Sequence, residues 1–183
     1  MEAIDPAQAA YDKAQREFGN KLKSDGLYRE ILTATTIDEV HKAIRKLQED
    51  AAGKGRMRYL AKISPFLDHL SEYAAVIENF IQVKPELLSL IWGPIKILLL
   101  WSSQITTALD KLTEAIVKIG VALPQFERLK PLLKTSDAAK AALALFYEDI
   151  LDFYSINIDF FRKTRRYTLA AAAHITKICM LTG

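Results

Sequence analysis

Residues 87–101 read Leu87-Leu88-Ser89-Leu90-Ile91-Trp92-Gly93-Pro94-Ile95-Lys96-Ile97-Leu98-Leu99-Leu100-Trp101. As a helix, at about 1.5 Å per residue, this run covers roughly 22 Å, short of the roughly 30 Å hydrocarbon core of a bilayer. Lys96 stands near its middle, and Gly93-Pro94 interrupts it. A helix apolar on nearly every side, yet too short to span, belongs inside a protein core. The run therefore predicts a buried central helix, opened by Pro85 and bent at Gly93-Pro94.

On its C-terminal side, Ile105, Leu109, Leu112, Ile116 and Ile119 form a one-sided stripe. The spacing predicts that the buried helix runs on as a surface helix until Leu123-Pro124. On its N-terminal side, Leu60, Ile63, Leu67, Leu70, Ala74, Ile77 and Ile81 keep a three-four spacing, with a kink or fresh start expected at Ser64-Pro65. Further back, Asp5-Pro6 opens a helix with Tyr11, Ala14, Phe18 and Leu22 on one stripe, and Ser24-Asp25-Gly26 breaks it. A short turn with Leu27, Ile31 and Leu32 follows. Thr36-Ile37-Asp38-Glu39 reads as a capping box for a helix bearing Val40, Ile44 and Leu47, which ends at Gly53-Lys54-Gly55.

After Leu123-Pro124, a short helix holds Phe126, Leu129 and Leu133, and Ser136-Asp137 makes a second N-cap. The helix that follows is rich in aromatics on more than one face: Phe146, Tyr147, Phe153, Tyr154, Phe160 and Phe161. Core packing accounts for most of them; an exposed part would mark a partner contact. Period-two alternation is not sustained anywhere, so no strand is expected. The fold class is all-α, a multi-helix bundle around a long apolar central helix. Residues 1–166 make the bundle, and 167–183 make a divergent Ala-rich tail, read as a truncated helix.

A chain of 183 residues suits one domain without staples. The single cysteine, Cys179, forbids an intrachain disulfide and fits a reducing compartment. The N-terminus has no basic and apolar regions of a secretory signal, so the cytoplasm is the expected location. A net charge of +3 gives no reason to invoke nucleic acid.

Motifs that could carry chemistry are few. Asp38 and His41, and likewise His69 and Glu72, share a helical face, but a di-iron bundle needs two Glu-x-x-His motifs and further glutamates. Surface polar pairs explain both. Gly53-Lys54-Gly55-Arg56 lacks the spacing and the Ser/Thr of a phosphate loop. No metal, cofactor or catalytic residue is expected, and the chain is read as not an enzyme. Two basic clusters remain, Lys54, Arg56, Arg58 and Lys62, then Arg162, Lys163, Arg165 and Arg166. The bland reading of the second is cations at a helix C-terminus. The functional reading is contact with an acidic partner or anionic lipid headgroups.

Two segments together are more distinctive. One is Tyr73-Ala74-Ala75-Val76-Ile77-Glu78 through Gln82 and Pro85 to Leu90-Ile91-Trp92-Gly93-Pro94-Ile95-Lys96. The other is Leu123-Pro124-Gln125-Phe126-Glu127, then Leu145-Phe146-Tyr147-Glu148-Asp149-Ile150-Leu151-Asp152-Phe153 and Phe160-Phe161-Arg162. They resemble the helical domain at the N-terminus of fungal NACHT and ankyrin-repeat proteins of the signal-transducing ATPase class, over roughly residues 35–166. Trp92, Gly93, Pro94, Pro124, Phe126, Tyr147 and Phe153 carry the resemblance. These are packing residues, and the family supplies no catalytic ones.

What the resemblance implies is a signalling module of NLR-like innate immunity, acting through helix-surface contacts with another copy or a larger relative. The alternative it implies is a membrane-active domain of the fungal cell-death type, with an anionic membrane surface as partner. In the family further helices and a NACHT region follow. Here the sequence reaches Gly183, so a truncated product, a fragment or a stand-alone adaptor is expected.

Overall fold

The computed structural model describes residues 6–22, 25–51, 57–80, 85–102, 106–123, 126–133 and 135–181. Side chains are described for fewer; those of 57–62, 106–110 and 165–181 are not among them. The described residues are helical with short turns and hold no strand. The helices are α1 (Pro6–Leu22), α2 (Asp25–Leu32), α3 (Ile37–Ala51), α4 (Met57–Phe80), α5 (Pro85–Ser102), α6 (Thr106–Ala122), α7 (Lys130–Leu133) and α8 (Asp137–Leu181). A 3-10 turn, Phe126–Leu129, precedes α7.

The stripes read from the sequence face inward. Tyr11, Ala14, Phe18 and Leu22 of α1 are buried, as are Ile63, Leu67, Leu70, Ala74 and Ile77 of α4. Each large apolar side chain withdrawn from water contributes about 1.5–3 kcal/mol, so a stripe of four or five is what holds a helix in place. Ser136 caps α8 as its type suggests, its hydroxyl accepting from the Ala139 amide at 3.2 Å.

Helix α5 touches α1, α2, α3, α4, α6 and α8. Leu87, Ser89, Leu90, Ile91, Trp92, Ile95, Ile97, Leu98 and Leu99 are all buried, which places buried residues on every side of its first turns. Gly93 allows the closest approach. A Cβ there would fall on the Ile31 carbonyl oxygen and lie 2.8 Å from the carbonyl carbon, so α2 crosses backbone to backbone at this point. Gly120 of α6 plays a milder part, since a Cβ there would lie 3.1 Å from Cβ of Phe66 on α4.

Four local expectations are corrected. The apolar run and the stripe after it are separate helices, α5 ending at Ser102 and α6 beginning at Thr106. The break lets the α6 stripe pack chiefly along α4, which one continuous helix would not reach. Helix α4 runs unbroken through the exposed Pro65, so no new helix starts there. Glu39 does not serve mainly as a capping-box residue, because its two carboxylate oxygens accept from Lys42 at 2.7 Å and Lys96 at 3.2 Å. Helix α8 does not end at Arg166 but continues to Leu181, so its basic cluster lies mid-helix.

Candidate contact surface

Helix α8 presents two contrasting faces. On the inner face, Leu143, Ala144, Tyr147, Ile150, Leu151, Tyr154, Ile158 and Phe161 are buried. The Tyr147 hydroxyl donates to the Leu87 carbonyl at 3.1 Å, and the Tyr154 hydroxyl to the Ile91 carbonyl at 3.0 Å. A third phenol, Tyr73 on α4, donates to the Leu143 carbonyl at 2.7 Å. Helical carbonyls have a second lone pair, so each bond ties one helix to another without removing a rung of the ladder. Burial pushes the phenols of Tyr73, Tyr147 and Tyr154 well above the ordinary tyrosine range, so they stay donors.

Tyr73, Phe126 and Phe146 form an aromatic trio, with centroids 4.6 Å apart for Tyr73–Phe146, 4.9 Å for Tyr73–Phe126 and 5.3 Å for Phe126–Phe146. Tilted and edge-on rings at such spacings add about 0.5–1.5 kcal/mol beyond the area they bury. This trio locks the 3-10 turn onto α4 and α8. The Tyr11 ring of α1 meets that of Tyr147 at 5.0 Å and a tilt of 58°, and the half-buried Phe153 meets Tyr154 at 5.8 Å.

Helix α1 lies beside α8 in the same chain direction, Tyr11 near Tyr147 and Leu22 near Arg162. Two polar contacts fasten the pair. Lys21 reaches Asp152 at 2.5 Å, an exposed bridge that raises the lysine above its usual value chiefly by hydrogen bonding to that carboxylate. Arg162, half-buried, donates to the Leu22 carbonyl at the last turn of α1. A cation on a free C-terminal carbonyl complements the helix dipole, so the residue does cap a helix end, but that of α1 rather than its own.

The outer face of α8 carries Leu145, Ile156 and Phe160, which are 62%, 69% and 49% exposed, together with Asp149, Asp152, Asp159 and Lys163. All seven lie within about 100° of helical arc. Elsewhere, Val121 on α6 and Leu132 on α7 are also exposed.

The residues singled out from the sequence separate accordingly. Trp92, Gly93, Pro94, Phe126 and Tyr147 are buried in or between helices, and Phe153 is half-buried. Lys163 is exposed on the outer face, whereas Arg162 is engaged inward. Pro124, the Gly53–Gly55 loop and the side chains of Arg58, Lys62, Arg165 and Arg166 lie outside the described residues. Leu145 and Ile156 were not marked by residue type. Their signal is positional, since both fall opposite Tyr147 and Tyr154 on a helical wheel.

His69 Nδ1 lies 3.9 Å from Glu72 Oε2, and both atoms are buried with no hydrogen-bond partner among the described residues. Among those residues, no group of three His, Cys, Asp or Glu is placed to hold a metal. Likewise no helix is long and apolar enough to cross a membrane.

A domain of unknown function, DUF7708, matches residues 61–177, well over half of the sequence. The chain belongs to the DUF7708 family. The DUF7708 segment begins within α4 and ends within α8, so it contains α5, α6, the aromatic trio and both faces of α8. Helices α1, α2 and α3 precede it and pack on its α5 and α8. No curated protein and no solved structure matches the chain.

Proposed function

We propose that this DUF7708 protein is a non-enzymatic contact module that works by presenting helix surface to another protein. The supporting observation is the division of α8. Its inner face is occupied by core packing and interhelical hydrogen bonds, yet Leu145, Ile156 and Phe160 stand in solvent on the opposite side. Single exposed apolar residues are ordinary, but three large ones on one face of one helix resemble the anchors of a helix-mediated interface.

This reading takes residues 1–166 as one bundle built around α5, with 167–183 as a tail, and likens it to the N-terminal helical module of fungal NACHT-type receptors. Its role is then to transmit or restrain a signal in the cytoplasm, with a second copy or a larger NLR-like relative as partner. The test compares the wild-type chain with a triple variant, Leu145→Ser, Ile156→Ser and Phe160→Ser, for binding to such a relative. Loss of binding with an unchanged helical spectrum supports the module. Turnover of simple ester, phosphate or nucleotide substrates by the wild type would overturn it.

The second reading is a membrane-active helical domain. Lys163 beside Phe160 favours it, because a cation next to an exposed ring suits an anionic interface. The engagement of Lys96 by Glu39 weighs against release of α5. Dye leakage from anionic but not neutral liposomes would bring this second reading forward.

A further inference from the structure

We infer that the outer face of α8 is a self-complementary seam that pairs antiparallel with α8 of a second copy of this chain. The inference rests on the contact-module reading and names its partner. Asp149, Ile156 and Lys163 follow one another at intervals of seven residues, so they stand in line along the helix. Of these, Asp149 and Lys163 are exposed and opposite in charge, with the exposed Ile156 midway between them.

A two-fold axis through Ile156 sets that side chain against its own mate. The same operation brings Asp149 of each copy opposite Lys163 of the other, giving two cross-helix ion pairs from one pattern. Phe160 then faces the partner's Asp152 and lies beside its Ile156. Lys21 already neutralises Asp152, so that carboxylate presents little free charge to the ring or to Asp159 of the opposite copy. A parallel arrangement would set Asp149 against Asp149 and Lys163 against Lys163, which like-charge repulsion disfavours. Isologous pairing of this kind is the commonest route to a closed dimer.

The same face argues against a lipid occupant. With Asp152 paired to Lys21, Asp149 and Asp159 still outnumber Lys163 on it, and this excess of carboxylate would meet an anionic bilayer unfavourably. The seam from Asp149 to Lys163 runs about 21 Å along one helix. Such a contact stays below the roughly 1,200 Å² of a standard stable interface, so the dimer is weak and transient. Ion pairs at its ends make it sensitive to salt.

The test is sedimentation equilibrium of the full chain across a concentration series at low and high salt. The expected result is a monomer–dimer equilibrium weakened about tenfold at high salt. Asp149→Lys and Lys163→Asp should each abolish the dimer, and the double variant Asp149→Lys/Lys163→Asp should restore it. Circular dichroism confirms that each exposed-site variant keeps its fold. A chain that stays monomeric at every concentration overturns the seam, as does a dimer indifferent to both charge swaps. A monomer that instead binds phosphatidylserine vesicles overturns it in favour of a lipid occupant. Substrate turnover, by contrast, would overturn the contact-module reading while leaving the dimer measurement intact.

Discussion

Helices α5 and α8 meet through Tyr147 and Tyr154, but they are built on different principles. Over Leu87–Leu99, α5 buries nearly every side chain, and its lysine is drawn to Glu39 of a neighbouring helix. Helix α8 divides its residues between a core face and a solvent face that is part apolar and part charged. Identity in α5 is therefore constrained by volume and backbone approach. On the outer face of α8 the fold demands little of Leu145 and Ile156, and Phe160 leaves half its surface in solvent while meeting Phe161 edge-on at 5.4 Å. The apolar character of this face therefore calls for a reason outside this chain's own packing.

The sharpest way to break this contrast is Gly93→Ala. One methyl group meets the Ile31 carbonyl and forces α2 away from α5, which should cost about 3 kcal/mol, the upper end of ordinary overpacking. Urea denaturation measures it, and a change near zero would show that α2 yields freely.

Lys96→Glu should have the next largest effect. It sets a second carboxylate against Glu39 in a half-buried position, and the melting temperature should fall. Adding Glu39→Lys should recover much of the loss, whereas a side chain that merely packs would show no such rescue. The same carboxylate gives a pH signature. Hydrogen bonds from Lys42, then Lys96, hold Glu39 below the ordinary 4.5. Its stabilising contribution is thus complete above that value and is lost as pH falls through the lowered folded value. Glu39→Gln should flatten this part of an acid denaturation profile.

Smaller effects separate the tyrosines. Tyr154→Phe removes a buried donor from the Ile91 carbonyl and should cost about 1 kcal/mol. The Tyr11 hydroxyl is buried beside the Tyr73 hydroxyl but makes no well-formed hydrogen bond among the described residues, so Tyr11→Phe should cost far less than Tyr154→Phe. At the bottom of the scale, Ile156→Ser should change stability by no more than about 0.5 kcal/mol. A large loss there would mean that the outer face of α8 belongs to the fold after all.

How far the sequence spoke depended on the range of the interaction. Periodicity picked out the inward stripes of α1 and α4, and residue type identified the Ser136 cap, because both are properties of neighbouring residues. The separation of α5 from α6 was hidden, since Ser102 is followed by no glycine or proline to mark a break. Gly93 stood out as an interruption of the apolar run, but its admission of the Ile31 backbone was not visible there. The pairing of Lys96 with Glu39 and of Arg162 with Leu22 joins residues far apart in the chain. Such contacts follow from topology, which spacing alone does not encode. For the contact surface, the basic cluster drew attention by composition. The apolar row on α8 became visible only once its inner face was known.

The phenols that join the helices have a consequence at high pH. Tyr73, Tyr147 and Tyr154 are withheld from ionisation by burial, while in an unfolded chain they would titrate near 10. Their contribution to stability is full below that value and declines as the solution becomes more alkaline, because only the unfolded chain can release those protons. On alkaline denaturation the tyrosinate absorbance of these three phenols should therefore appear together with the loss of helix. That share of the ultraviolet signal would report the unfolding of the chain.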